Sequence, residues 1–106
     1  MRETPNLNYV EKLADNDINF YQKFIIVLKE EFPQEREAYE DNFTKKKYRN
    51  ASEDVHKIKH KLNILGLHNS HSIAVKYEFE LRNNAHTLSK EFTTILNNVE
   101  AYLKTI

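Results

Sequence analysis

Apolar residues recur at intervals of three and four along almost the whole chain, the spacing that lines one face of an α-helix. Residues Pro5 to Ala14 predict a short N-terminal helix with Leu7, Val10 and Leu13 on one side. Asn16 or Asp17 is the candidate N-cap of a second helix, whose wide stripe is Phe20, Tyr21, Phe24, Ile25, Leu28 and Phe32. Pro33 predicts a break, because the residue before a proline is biased away from helical geometry and proline suits the first turn of a new helix. That new helix would use Ala38, Tyr39 and Phe43. Lys45, Lys46 and Lys47 stand near its end, where cations complement the helix dipole.

Asn50 or Ser52 begins the next predicted helix, with Ala51, Val55, Ile58, Leu62 and Leu65 as its core positions. Gly66, the only glycine, falls just past Leu65, where a left-handed residue commonly ends a helix. Asn69 or Ser70 is the candidate cap of a helix with Ile73, Ala74, Tyr77 and Leu81 inward. The last helix runs from about Leu88 and carries Phe92, Ile95, Leu96, Val99, Tyr102, Leu103 and Ile106. The expected fold is all-α: an antiparallel four-helix bundle with a short extra N-terminal helix and short loops, one helix being split at Pro33.

Composition narrows this further. A chain of 106 residues suits one domain, and 40% apolar residues suffice for a core. One Gly and two Pro are too few for a turn-rich all-β domain. Lys+Arg and Asp+Glu balance at 16 each, which gives no electrostatic ground for nucleic acid or anionic lipid as the main partner. The absence of Cys removes disulfides and Cys-based zinc sites and fits a reducing compartment. MRETPNLNYV contains no apolar run of signal-peptide type. The longest apolar run, Phe24 to Leu28, is far short of the ~20 residues that span a bilayer. A cytoplasmic, monomeric protein with no membrane segment is expected.

The chemistry concentrates in residues 51–66, ASEDVHKIKHKLNILG. On a helix turning ~100° per residue, the core set falls in one arc and Ser52, Glu53, His56, Lys59, His60 and Asn63 fall on the opposite side. His56 lies roughly 140° from the centre of the core stripe, facing solvent or a partner. A neutral imidazole is a nucleophile that attacks phosphorus to form a phosphoramidate. Positive donors stabilise the charge on the transferred group. Lys59, one turn along, brings an ammonium within reach, and His60 lies almost directly over His56.

The stretch His56-Lys57-Ile58-Lys59-x6-Gly66-Leu67 resembles the signature of histidine-containing phosphotransfer domains of two-component phosphorelays: a His, a Lys at +3, usually a Gly at +4, and a Gly at +10. The similarity extends to Asp17–Phe24, to Pro33 and to Tyr77, Glu78 and Leu81, and so spans nearly the whole chain. The resemblance implies an elongated four-helix bundle in which His56 is the phosphoacceptor and Lys59 balances phosphoryl charge. Ser52, Glu53, His60 and Asn63 would border the docking face. The implied partners are response-regulator receiver domains and a hybrid histidine kinase. The acidic pocket and Mg²⁺ would belong to the receiver, so no cofactor is expected on this chain. That agrees with a sequence lacking a Gly-rich phosphate loop, a Walker pattern or a kinase signature. One position departs from the family: His60 stands where glycine leaves room for the receiver. It fills that space and is also a donor able to hold phosphate. Either the partner is shaped to fit it, or transfer is impaired.

Plainer readings exist for each residue. His56 could be a solvated surface histidine, Lys59 a solvated lysine, and Asn63 a surface polar residue. His56 and His60 have the i, i+4 spacing of a metal clamp, but no acidic residue completes a zincin pattern. His68 and His71 lie beyond the helix end, so no metal site is assigned. His86, in a predicted loop, is given no role. Two functional alternatives therefore stand beside the relay: a non-catalytic receiver-docking module of the same fold, and a histidine-based metal-binding helical protein.

Overall fold

Helix follows from the three-to-four periodicity, and each of the first four helices stops within two residues of a left-handed one. The computed structural model describes residues 3–106. Among them are five helices and no strand: α1 (Asn8–Ala14), α2 (Ile18–Thr44), α3 (Tyr48–Ile64), α4 (His68–Arg82) and α5 (Ser89–Leu103). Asp17 caps α2, its side chain accepting from the Phe20 N–H at 3.1 Å. Lys46 (φ 61°) and Gly66 (φ 75°) make the left-handed turns after α2 and α3.

Three expectations are corrected. α2 runs unbroken through Pro33, where a split was expected. Proline removes one backbone hydrogen bond, but Leu28, Phe32 and Tyr39 on either side are all buried, and their packing outweighs that local loss. The caps expected for α3 and α4 at Asn50, Ser52, Asn69 or Ser70 are not used. α3 starts at Tyr48, and α4 starts at His68 after Leu67. The N-terminus of α4 is instead satisfied from a distance: the Glu3 carboxylate accepts from the Asn69 N–H at 2.9 Å and the Ser70 N–H at 2.5 Å. Burial pushes the Glu3 carboxyl up, but these backbone bonds outweigh it and hold it below its ordinary value. Finally, Leu13, Phe20 and Ala38 are exposed although their spacing suggested core.

The helices pack in a closed ring: α2 on α3, α3 on α4, α4 on α5, and α5 back on α2, with α1 against α2. This is a four-helix bundle with a short N-terminal helix. At its centre Tyr39, Tyr77 and Phe92 meet with ring centroids 5.1–6.0 Å apart, and the two tyrosine hydroxyls share a 2.6 Å hydrogen bond. On the α2–α3 seam, the Lys61 ammonium donates to Glu31 and Glu35, both at 2.9 Å. On the α2–α5 seam, Arg36 donates to Asn97 at 2.7 Å. No described helix is long and apolar enough to cross a membrane.

Candidate functional site

α3 carries the site because its core stripe, Ala51, Val55, Ile58, Leu62 and Leu65, is fully buried between α2 and α4 and fixes the helix rotation. His56 then faces outward with 49% of its side chain exposed, enough for another molecule to reach the ring. Glu53, His60 and Asn63 are exposed on the same face. Ser52, expected there, is fully buried, and its hydroxyl donates to the Arg49 carbonyl. It falls about 20° from Lys59 around α3, on the side from which Lys59 reaches Glu78 of α4.

The inner side of His56 is built by α4. His56 Nδ1 lies 3.0 Å from Glu78 Oε2, and Lys59 Nζ lies 2.8 Å from Glu78 Oε1. Arg82 Nη2 donates to Glu78 Oε2 at 2.7 Å. Glu78 itself is only 4% exposed. Burial pushes its carboxyl up, but the hydrogen bonds and charges of Lys59 and His56 outweigh it, so Glu78 sits below the ordinary carboxylate value. An ionised carboxylate only accepts hydrogen bonds. Nδ1 therefore carries the ring hydrogen and donates it, which leaves the Nε2 lone pair as the free nucleophile.

His60 completes the outer rim. Its ring is perpendicular to that of His56, with centroids 5.0 Å apart and planes at 88°. Among the described residues, no group of three or more His, Cys, Asp or Glu side chains converges as metal ligands, and His68 and His71 belong to α4. His86 packs against Phe43 and Tyr48, at centroid distances of 5.5 and 5.1 Å. Beside α3, Phe20, Phe24, Val27, Leu28 and Ile64 line an apolar groove against α2, together with the charged Lys23, Glu31 and Lys61. On α4, Val75 and Phe79 stand exposed one turn apart.

The structure thus brings His56, Lys59 and His60 together and adds Glu78 and Arg82, to which the sequence reading gave no role in the site. A signal was present for Glu78. It follows Tyr77 and precedes Leu81 by three residues, which sets a carboxylate beside the apolar stripe, where burial demands a partner. Arg82, at i+4 from Glu78, is the pairing position on that helix. No family model, curated protein or solved structure matches this chain.

Proposed function

We propose that this chain is a phosphorelay intermediate of the histidine-containing phosphotransfer type. His56 Nε2 attacks the phosphorus of an aspartyl phosphate on a receiver domain. The N–P bond forms as the P–O bond breaks, and the aspartate carboxylate leaves with the electron pair. No proton has to move, because Nδ1 already holds the ring hydrogen. The positive charge the ring gains faces the Glu78 carboxylate. Attack on the phosphohistidine by the aspartate of a second receiver passes the group onward. Lys59 lends positive charge to the phosphoryl oxygens. Mg²⁺ and the acidic pocket belong to the receiver, and a hybrid histidine kinase is the upstream source.

The observation that carries this reading is a half-exposed imidazole whose inner nitrogen is held by a nearly buried, doubly cation-paired carboxylate. The fixed tautomer and an open Nε2 are what a phosphoacceptor needs. The apolar groove beside α3 and the polar rim of Glu53, His60 and Asn63 suit a small, transient receiver complex. A second reading, a receiver-docking module without transfer, draws on the His60 ring packed against His56.

The deciding experiment mixes the protein with a phosphorylated receiver and Mg²⁺ and maps the label by mass spectrometry at neutral or alkaline pH, since phosphohistidine is acid-labile. Label on His56, absent in His56→Gln although that variant still binds the receiver, is the expected result. Receivers that bind and leave no label on His56 would establish the docking module instead.

A further inference from the structure

From the pairing of His56 with His60 we infer that His60 is a direct ligand of the phosphoryl group, donating a ring N–H to its oxygens once His56 is loaded. This rests on the phosphocarrier reading and assigns the group that holds its cargo.

The cations near His56 are already engaged. Lys59 Nζ is 2.8 Å from one Glu78 oxygen, and Arg82 Nη2 is 2.7 Å from the other. Two cations and one carboxylate leave a single net positive charge, and the shared carboxylate sits on the Nδ1 edge of the ring. The phosphoryl group occupies the other edge, at Nε2. It carries close to two negative charges at neutral pH and three acceptor oxygens. Charge and donors are therefore scarcer on the outer edge than the cargo requires.

His60 stands beside the His56 ring on the exposed face of α3. At ~100° per residue, Lys59 lies about 60° to one side of His56 and His60 about 40° to the other, so the two flank the ring. The imidazoles are 5.0 Å apart between centroids, with their planes at 88°. At that spacing a rotation of the exposed His60 ring brings a ring N–H toward the oxygens of a phosphoryl group on His56. His60 is exposed and has no hydrogen bond to another side chain among the described residues, so a ring rotation to meet an oxygen breaks no such bond. His60 thus adds a donor where the Glu78-bound Lys59 supplies only nearby charge. That contact favours the loaded state and slows escape of the group to water.

The test loads the full chain with phosphoramidate, a small donor that needs no receiver. His56 Nε2 attacks phosphorus, the N–P bond to His56 forms, the bond to the amide nitrogen breaks, and that nitrogen leaves as ammonia. ³¹P NMR follows decay of the phosphohistidine, and mass spectrometry assigns the label among the five histidines. Removing the donor in His60→Ala should shorten the phospho-His56 half-life about three- to tenfold, the net worth of one ordinary hydrogen bond. His60→Gln, which restores an N–H, should recover most of it. Label on His56 with the same half-life in His60→Ala would overturn the assignment of His60 and leave the phosphocarrier reading standing. Equal loss in His60→Ala and His60→Gln would trace the effect to ring packing and overturn the donor role. No label on His56, or label on His60 in its place, would overturn both.

Discussion

At the scale of the residue, Glu78 decides what His56 can do. It receives hydrogen bonds from His56, Lys59 and Arg82 while nearly buried, so it sets the imidazole tautomer and holds Lys59 beside the ring. Glu78→Gln keeps the shape and removes the charge, leaving two cations without their shared partner. We expect a loss of roughly 1–3 kcal/mol in stability and at least a tenfold slower phosphoryl uptake on His56, about 1.4 kcal/mol in barrier. Urea titration and timed labelling read the two effects. The sign of the pH dependence follows from the lowered carboxyl. Stability from Glu78 is fully present above the ordinary glutamate range and is lost as pH falls through the lower folded value. Melting curves from pH 7 to pH 3 should fall less steeply in Glu78→Gln than in the parent, and parallel curves would contradict this account.

At the scale of the element, the α3–α4 turn shows how one residue type fixes a helix end. Gly66 has φ 75°, and a Cβ there would come within 2.6 Å of the Asn6 amide nitrogen. The Asn6 side chain also accepts from the Asn8 N–H at 3.0 Å, capping the start of α1, and the Asn6 N–H donates to the Leu65 carbonyl. Gly66→Ala therefore strains the backbone and disturbs the strap formed by residues 3–7. The left-handed penalty alone is about 1–2 kcal/mol, so thermal unfolding should drop by roughly 4–10 °C. Because α3 keeps its rotation through its buried stripe, His56 labelling at low temperature should persist in this variant. Pro33 teaches the opposite lesson at the same scale: a residue that locally breaks helices sits inside one, because the flanking residues are held by the core.

At the scale of the whole molecule, the ring of helices closes through Tyr39, Tyr77 and Phe92, drawn from α2, α4 and α5. Burial raises the Tyr39 hydroxyl to about 12 and pushes Tyr77 higher still, so both stay neutral and the pair is a plain hydrogen bond in an apolar setting. Tyr77→Phe strands the Tyr39 hydroxyl without its partner and should cost about 1–3 kcal/mol. The Tyr39→Phe/Tyr77→Phe pair should recover part of that loss, since removing both partners leaves nothing unsatisfied. Denaturant midpoints of the three variants give the coupling. A double variant less stable than the sum of the singles would show that the hydroxyls do more than satisfy each other.

The order of the helices and most of their buried stripes were written in the sequence, because burial of a periodic stripe depends on spacing that any reader of the chain can count. The exposure of His56, Glu53, His60 and Asn63 and the glycine turn at Gly66 came from the same periodicity. What the sequence could not determine depended on neighbours distant along the chain. The continuity of α2 through Pro33 required the core that grips Phe32. The burial of Ser52 required α4 on its flank. The cap of α4 came from Glu3, 66 and 67 residues away. Above all, the link from His56 to Glu78 spans 22 residues and two helices. Only the register of α4 against α3 turned a carboxylate beside an apolar stripe into the group that orients the imidazole.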